Sequence, residues 1–199
     1  MRVRIFWFIA VAVGSLLMAG PVGAQAPDTG MAAMMAQWAK YATPGPHHQE
    51  MAKMVGKWTA TVKTWMAPGT PPMESQGMGE FTMVLGGRYL IQDFKSQMMG
   101  QPFEGMGISA YDNFRGRYVD VWVDNMSTGM MISYGTADST GKVFTYKGKM
   151  DDVMSGKKDV PIRTVMRIID NDTQMMEMYG PDQTGKEYKT MEMVYKRQK

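Results

Sequence analysis

The sequence predicts an all-β fold: an antiparallel up-and-down barrel of about ten strands, preceded by short N-terminal helices. Three observations predict it. Beyond Gly56 the apolar residues change from helical spacing to strict alternation. The alternating runs are separated by short clusters of Gly, Asp, Asn, Ser and Thr, the chemistry of tight hairpins. No segment between the later runs is long enough for a crossover helix, so neighbours in sequence pair antiparallel and a parallel α/β sheet is excluded. Closing such a sheet on itself removes both exposed edges, whereas an open sandwich, the alternative architecture, leaves them to be covered.

Before the barrel, three segments precede the first strand. Met1-Arg2-Val3-Arg4, the apolar run Ile5 to Ala19 and Val22-Gly23-Ala24 have the charged, apolar and small-residue regions of a secretory signal peptide, with cleavage expected after Ala24. The run is short for a membrane span, so no stable span is expected in the mature chain, which is placed in the periplasm or outside the cell. Residues 25–46 form an Ala- and Met-rich helix and linker, with Met31, Met34, Met35 and Trp38 at helical spacing until Pro44-Gly45-Pro46 stops it. His47 to Val55 forms a second short helix with Met51, Met54 and Val55 on one side. The barrel domain then covers residues 47–199, including that short helix.

Within the barrel, Trp58, Ala60, Val62, Thr64 and Met66 share one face of the first strand. The later strands are Glu74 to Leu85, Arg88 to Ser96, Phe103 to Tyr111, Arg117 to Asn125, Met130 to Ala137, Lys142 to Met150, Val160 to Ile169, Gln174 to Tyr179 and Glu187 to Arg197. Gly86-Gly87, Asp112-Asn113 with Gly116, Ser127-Thr128-Gly129, Asp138 to Gly141 and Asp182 to Gly185 supply the turns between them.

Composition narrows the function. The chain contains no cysteine, which excludes disulfides, a thiol nucleophile and thiolate zinc sites. Loss of Arg2 and Arg4 with the leader leaves 20 basic against 19 acidic side chains, a net charge of +1 without a basic footprint for nucleic acid. The two histidines, His47 and His48, are adjacent and diverge on a helix, so with Glu50 they offer at most a weak surface metal site. No Gly-x-Ser-x-Gly elbow is present, and Gly105-Met106-Gly107-Ile108-Ser109-Ala110 runs into a turn where a dinucleotide motif needs a helix. An enzyme is the weakest expectation, and no cofactor is implied.

A short helix followed by Gly56-Lys57-Trp58 resembles the Gly-x-Trp start of lipocalin-like barrels, in which the tryptophan closes one end. Longer stretches are more specific: Pro44-Gly45-Pro46-x-His48, Gly86-Gly87-Arg88-Tyr89-Leu90, Met98 to Gly105, Tyr111-Asp112-Asn113, Asp124 to Gly129 and Lys189-Thr190-Met191-Glu192. Together these resemble the domain of unknown function 1579 family from Pro44 onward. The resemblance implies a lipocalin-like barrel, and no established activity or site residues come with it.

Two candidate sites follow from the residues. In the strand Arg117 to Asn125, Tyr118, Asp120, Trp122 and Asp124 alternate with Val119, Val121 and Val123. If the valines face the core, the acids are merely solvated. In the other register the polar-aromatic face lines the interior as a pocket for a small apolar or amphipathic ligand, with Trp58 closing one end. An interior acid needs a partner, and Arg88, Arg163 and Arg167 are the available cations.

The second candidate is the methionines: 25 of them against four leucines, Leu16, Leu17, Leu85 and Leu90. Thioethers replace leucine as core filler, or bind a soft ion such as Cu(I) or Ag(I), or scavenge oxidants. Met106, Met166, Met191 and Met193 sit at alternating positions where leucine would serve. Met98, Met99, Met126, Met130 and Met131 lie at turns and are the soft-metal candidates, with Met175-Met176 and Met178 a further cluster.

Overall fold

A computed structural model describes residues 29–153 and 155–199. The expected leader lies outside these residues. The chain divides into two compact units, Met1–Trp38 and Ala39–Lys199. The described part of the first is most of helix α1 (Thr29–Ala42), on which Met31, Met34, Met35 and Trp38 are exposed. No described helix is long and apolar enough to cross a membrane.

The second unit holds α2 (Pro46–Ala52) and ten strands: β1 (Gly56–Thr64), β2 (Met73–Val84), β3 (Tyr89–Met98), β4 (Gln101–Asp112), β5 (Arg117–Asp124), β6 (Met131–Ala137), β7 (Val143–Asp152), β8 (Lys157–Asp170), β9 (Thr173–Pro181) and β10 (Glu187–Arg197). Each strand pairs antiparallel with its sequence neighbours, and β1 pairs with β10, so the sheet closes into a barrel without an edge. The predicted turns form as their chemistry requires. At Gly141 and Gly185 the backbone takes φ of 67° and 87°, and the carboxylates of Asp138 and Asp182 accept the N–H groups of the residues that follow.

Short connections alternate between the two ends of the barrel. The β2–β3, β4–β5, β6–β7 and β8–β9 turns share one end with α2, and the remaining connections form the other. Pro46 at the first helical position sets the φ that α2 needs. His48 turns back so that its Nδ1 accepts the Gly45 N–H at 3.1 Å, and its ring is buried together with Met51. Asn113 in the β4–β5 turn donates to the carbonyls of Tyr41 and Thr43, which fixes the chain before α2.

Trp58 is the anchor of this closed end. It is 0% exposed, its indole N–H donates to Met54 O at 2.9 Å, and the Arg197 guanidinium lies 4.1 Å from its ring centroid. Arg197 also donates to the carbonyls of Lys53, Val55 and Asn171, so the last strand ties down the backbone on which the first strand begins. The core extends from there through Ala60, Val62, Phe81, Leu90, Phe94, Tyr118, Phe144, Met193 and Tyr195.

The outer surface carries cross-strand pairs such as Lys63–Glu74 and Lys95–Glu104, exposed and individually of little energetic consequence. A tighter group covers β8 to β10, where Glu177 bridges Arg167 and Lys189, and Lys189 also pairs with Glu192.

Candidate functional site

Barrel parity decides which side chains can meet a ligand. Strand β5 places Tyr118, Asp120, Trp122 and Asp124 on the lumenal face, so its valines point outward. The register shows why: Tyr118 sits between Tyr111 and Gly135, and Asp120 between Ser109 of β4 and Ser133 of β6. On the outside, Val119 and Val121 are flanked by Ala110, Ile108, Tyr134 and Ile132, and this lateral cover leaves them half-buried. The polar-aromatic face of β5 therefore lines the interior, and the reading in which both acids are solvated does not hold.

Asp120 is the centre of this face. Its Oδ1 accepts the Ser109 hydroxyl at 2.7 Å, and no cation among the described residues pairs with it. Burial pushes its carboxyl up to about 6, with the Ser109 hydrogen bond pulling in the opposite direction. Tyr146 of β7 and Tyr195 of β10 face the same space; burial, reinforced by the Asp120 charge, drives both phenols well above their ordinary range. Tyr195 accepts from Gln92 Nε2 at 3.0 Å and turns its own hydroxyl toward Met193 Sδ at 3.6 Å. Ser133 Oγ is buried without a partner.

Aromatic rings flank the acid along the barrel axis. Toward the closed end, Tyr118 hydrogen-bonds His47 Nδ1 at 2.9 Å, and burial pushes its phenol up to about 12. His47 itself stacks on Tyr111 at 3.8 Å, whereas burial holds the neighbouring His48 below the usual imidazole range. The two histidines are therefore separately committed. Toward the other end, Trp122 packs with Phe94 and Phe103, parallel to the latter within 16° at 6.5 Å.

Glycines make room for these rings. A Cβ on Gly105 would lie 2.2 Å from the Trp122 ring, and one on Gly135 would lie 2.6 Å from Tyr146 and 2.7 Å from the Thr145 carbonyl.

The wall formed by β8, β9 and β10 is chemically different. Met176 is in register with Met166 on one side and Met193 on the other, and Met178 with Met191. Thr164 completes this face beside Met178. Lumenal Ser109, Asp120, Trp122, Tyr146, Thr164, Met166, Met176 and Met191 are half-buried rather than sealed. A separate cleft of about 340 Å³ opens at the closed end between Lys53, Met54, Ile168, Asp170, Asn171, Gln174 and Arg197, away from Asp120.

Several expected site residues lie elsewhere. Arg163 and Arg167 face outward: Arg163 forks onto Glu187 over the Tyr179 ring, and Arg167 pairs with Glu177. Arg88 donates to Leu85 O in the β2–β3 turn. The expected arginine partners of the lumenal acid are thus absent, because alternation on β8 puts Thr164 and Met166 inward instead. Asp124 stands at the end of β5, where its two oxygens accept the Trp122 indole and the Met126 N–H. It holds the rim and orients Trp122.

The turn methionines do not assemble through the sheet register. Met98 ends β3, Met99 lies in the β3–β4 turn and Met126 and Met130 in the β5–β6 connection, all exposed, while Met131 begins β6 half-buried. Among the described residues no group of three His, Asp or Glu side chains could hold a metal. The sequence reading missed Ser109, Ser133, Tyr146 and Tyr195. The alternating glycines Gly77/Gly79 and Gly105/Gly107 were the available signal, since they mark lumenal positions next to large rings.

The sequence model of a family described as "Protein of unknown function (DUF1579)" matches residues 43–197. A search of curated proteins finds no match. Among solved structures, the fold is similar to that of Rv2717c from M. tuberculosis, with a TM-score of 0.59, 18% identity, and coverage of 79% of this chain and 100% of that one. It is also similar to the S-type phycobiliprotein lyase CPES from Guillardia theta, with a TM-score of 0.54, 12% identity, and coverage of 78% and 99%. At these identities the likeness is one of fold.

Proposed function

The chain belongs to the DUF1579 family, and we propose that it binds a small amphipathic molecule inside its barrel, outside the cytoplasm. The observation that carries this reading is Asp120: a carboxyl enclosed by the barrel, hydrogen-bonded only to Ser109, on a face it shares with the half-buried Trp122 and the buried Tyr118. An acid in this position is a cost to folding unless something else uses it. The methionine wall opposite supplies an apolar surface that can repack around different shapes. Trp58 acts as the floor of the site rather than as a contact, because it is sealed beneath α2.

Native mass spectrometry of the protein isolated from its own source tests this. A bound small molecule should leave on denaturation and should be missing from Thr164→Trp, a variant that fills the lumen. Retention of the same mass by a folded Thr164→Trp protein places the molecule elsewhere and overturns the reading.

One observation favours a second reading, soft-metal binding. The register brings Met166, Met176 and Met193 side by side on adjacent strands, where neighbouring Cβ atoms lie about 5 Å apart. Saturable Ag(I) binding that is lost in Met176→Leu would support it. Unchanged binding in that variant would remove it.

A further inference from the structure

Resting on the lumenal reading above, we propose that the group seated at Asp120 is a cation, so that the barrel selects amphipathic molecules carrying an ammonium or a protonated nitrogen heterocycle. Three features of the lumen lead there. Asp120 takes one neutral hydrogen bond, from Ser109, which uses Oδ1 alone; no described residue donates to Oδ2. Ser133, opposite in the register, has a sealed hydroxyl without a partner, whereas neither oxygen of Asp120 is sealed and unpaired. The free carboxylate oxygen is therefore open to an occupant of the lumen.

The arginines expected to partner the acid, and Arg197 at the closed end, are committed elsewhere. Arg163 and Arg167 are bound to Glu187 and Glu177 on the outer surface, Arg88 to a turn carbonyl, and Arg197 to three carbonyls and the Trp58 ring. A charged carboxylate left unpaired in an enclosed space is costly, and a ligand cation offsets that cost where a neutral or anionic ligand would not.

The flanking groups suit a cation as well. Half-buried Trp122 stands beside Asp120 on the same face of β5, and aromatic faces attract ammonium groups most strongly once water is displaced. The other titratable groups facing Asp120, Tyr146 of β7 and Tyr195 of β10, are neutral phenols across the physiological range and do not compete for it. The methionines of β8 to β10 then receive the apolar part.

The test is a titration of the full chain, followed by intrinsic tryptophan fluorescence and calorimetry, with three probes of equal chain length: decylammonium, decanol and decanoate. Decylammonium should bind about tenfold or more tightly than the other two at pH 7.5. Asp120→Asn should reduce it to the level of decanol while leaving decanol unchanged. In the wild-type protein the preference should also fade as the pH drops through about 6, where the carboxyl takes up its proton. That measurement needs no variant. Equal binding of decanol, tighter binding of decanoate, or a preference that survives in Asp120→Asn overturns the cation proposal and leaves the lumenal site standing. If none of the three probes binds, the lumenal reading itself fails.

Discussion

The two walls of the barrel solve the same packing problem with opposite chemistry. On β4 to β7, rings rest on glycines and polar side chains meet in fixed register: Trp122 over Gly105, Tyr146 over Gly135, and Asp120 between Ser109 and Ser133. On β8 to β10 the lumenal positions carry Met166, Met176, Met191 and Met193, unbranched side chains with many rotamers. The first wall tolerates little change because backbone and ring positions are mutually determined. The second accepts change because thioether chains reshape at small cost. A site made from both has one side that specifies and one that accommodates, which is how a binding protein can be selective for a head group while tolerating variation in the rest of a molecule.

That contrast can be broken by measurement. The largest effect is expected for Gly135→Val. Its branched side chain must enter space held by the Tyr146 ring and the Thr145 carbonyl, and chemical denaturation should show a loss of about 3 kcal/mol or more. A loss below about 1 kcal/mol would show that this wall yields as readily as the other.

Asp120→Asn should act in the other direction, and with a defined pH dependence. The carboxyl of the folded protein lies near 6, above its ordinary 3.8, so the folded state holds the proton more tightly than the unfolded chain. Asp120 therefore costs little below about pH 4, progressively more between pH 4 and 6, and its full penalty above pH 6. The shift corresponds to about 2–3 kcal/mol, and asparagine keeps the acceptor for Ser109. Thermal unfolding should show Asp120→Asn stabilised at pH 7.5 and nearly unchanged at pH 4. Destabilisation at pH 7.5 would mean that a bound cation already neutralises the acid or that its environment differs.

A smaller gain, about 1 kcal/mol, is expected for Ser133→Ala, which removes a buried hydroxyl without a partner. The smallest effect belongs to the methionine wall. Met176→Leu conserves volume and should change stability by less than about 1.5 kcal/mol in either direction. A larger loss would give that wall the same rigid fit as its counterpart.

Much of this architecture was legible in the chain. The alternation after Gly56, the turn clusters at Asp138 to Gly141 and Asp182 to Gly185, and the absence of crossover segments all correspond to strands and hairpins that formed where expected. These signals are local: a two-residue period and a positive-φ glycine are properties of a few neighbouring residues. Trp58 also fell where the Gly-Lys-Trp start placed it, sealing one end. The arginines were misassigned although β8 itself carries the signal: Ile162, Met166 and Ile168 share its inner face, which leaves Arg163 and Arg167 outside, with Val165 buried on the outer face between them.

The sequence by itself determined that this protein is an antiparallel barrel with alternating strands, and that one strand has a valine face and a Tyr-Asp-Trp-Asp face. Only the tertiary structure decided which of those faces looks inward. Alternation distinguishes two sides of a strand without naming them, and valine is stable on either side of a sheet when its lateral neighbours cover it. Closure of β1 onto β10, with Ser109 and Ser133 brought beside Asp120, turned a strand with two plausible orientations into a lumen with an acid at its centre.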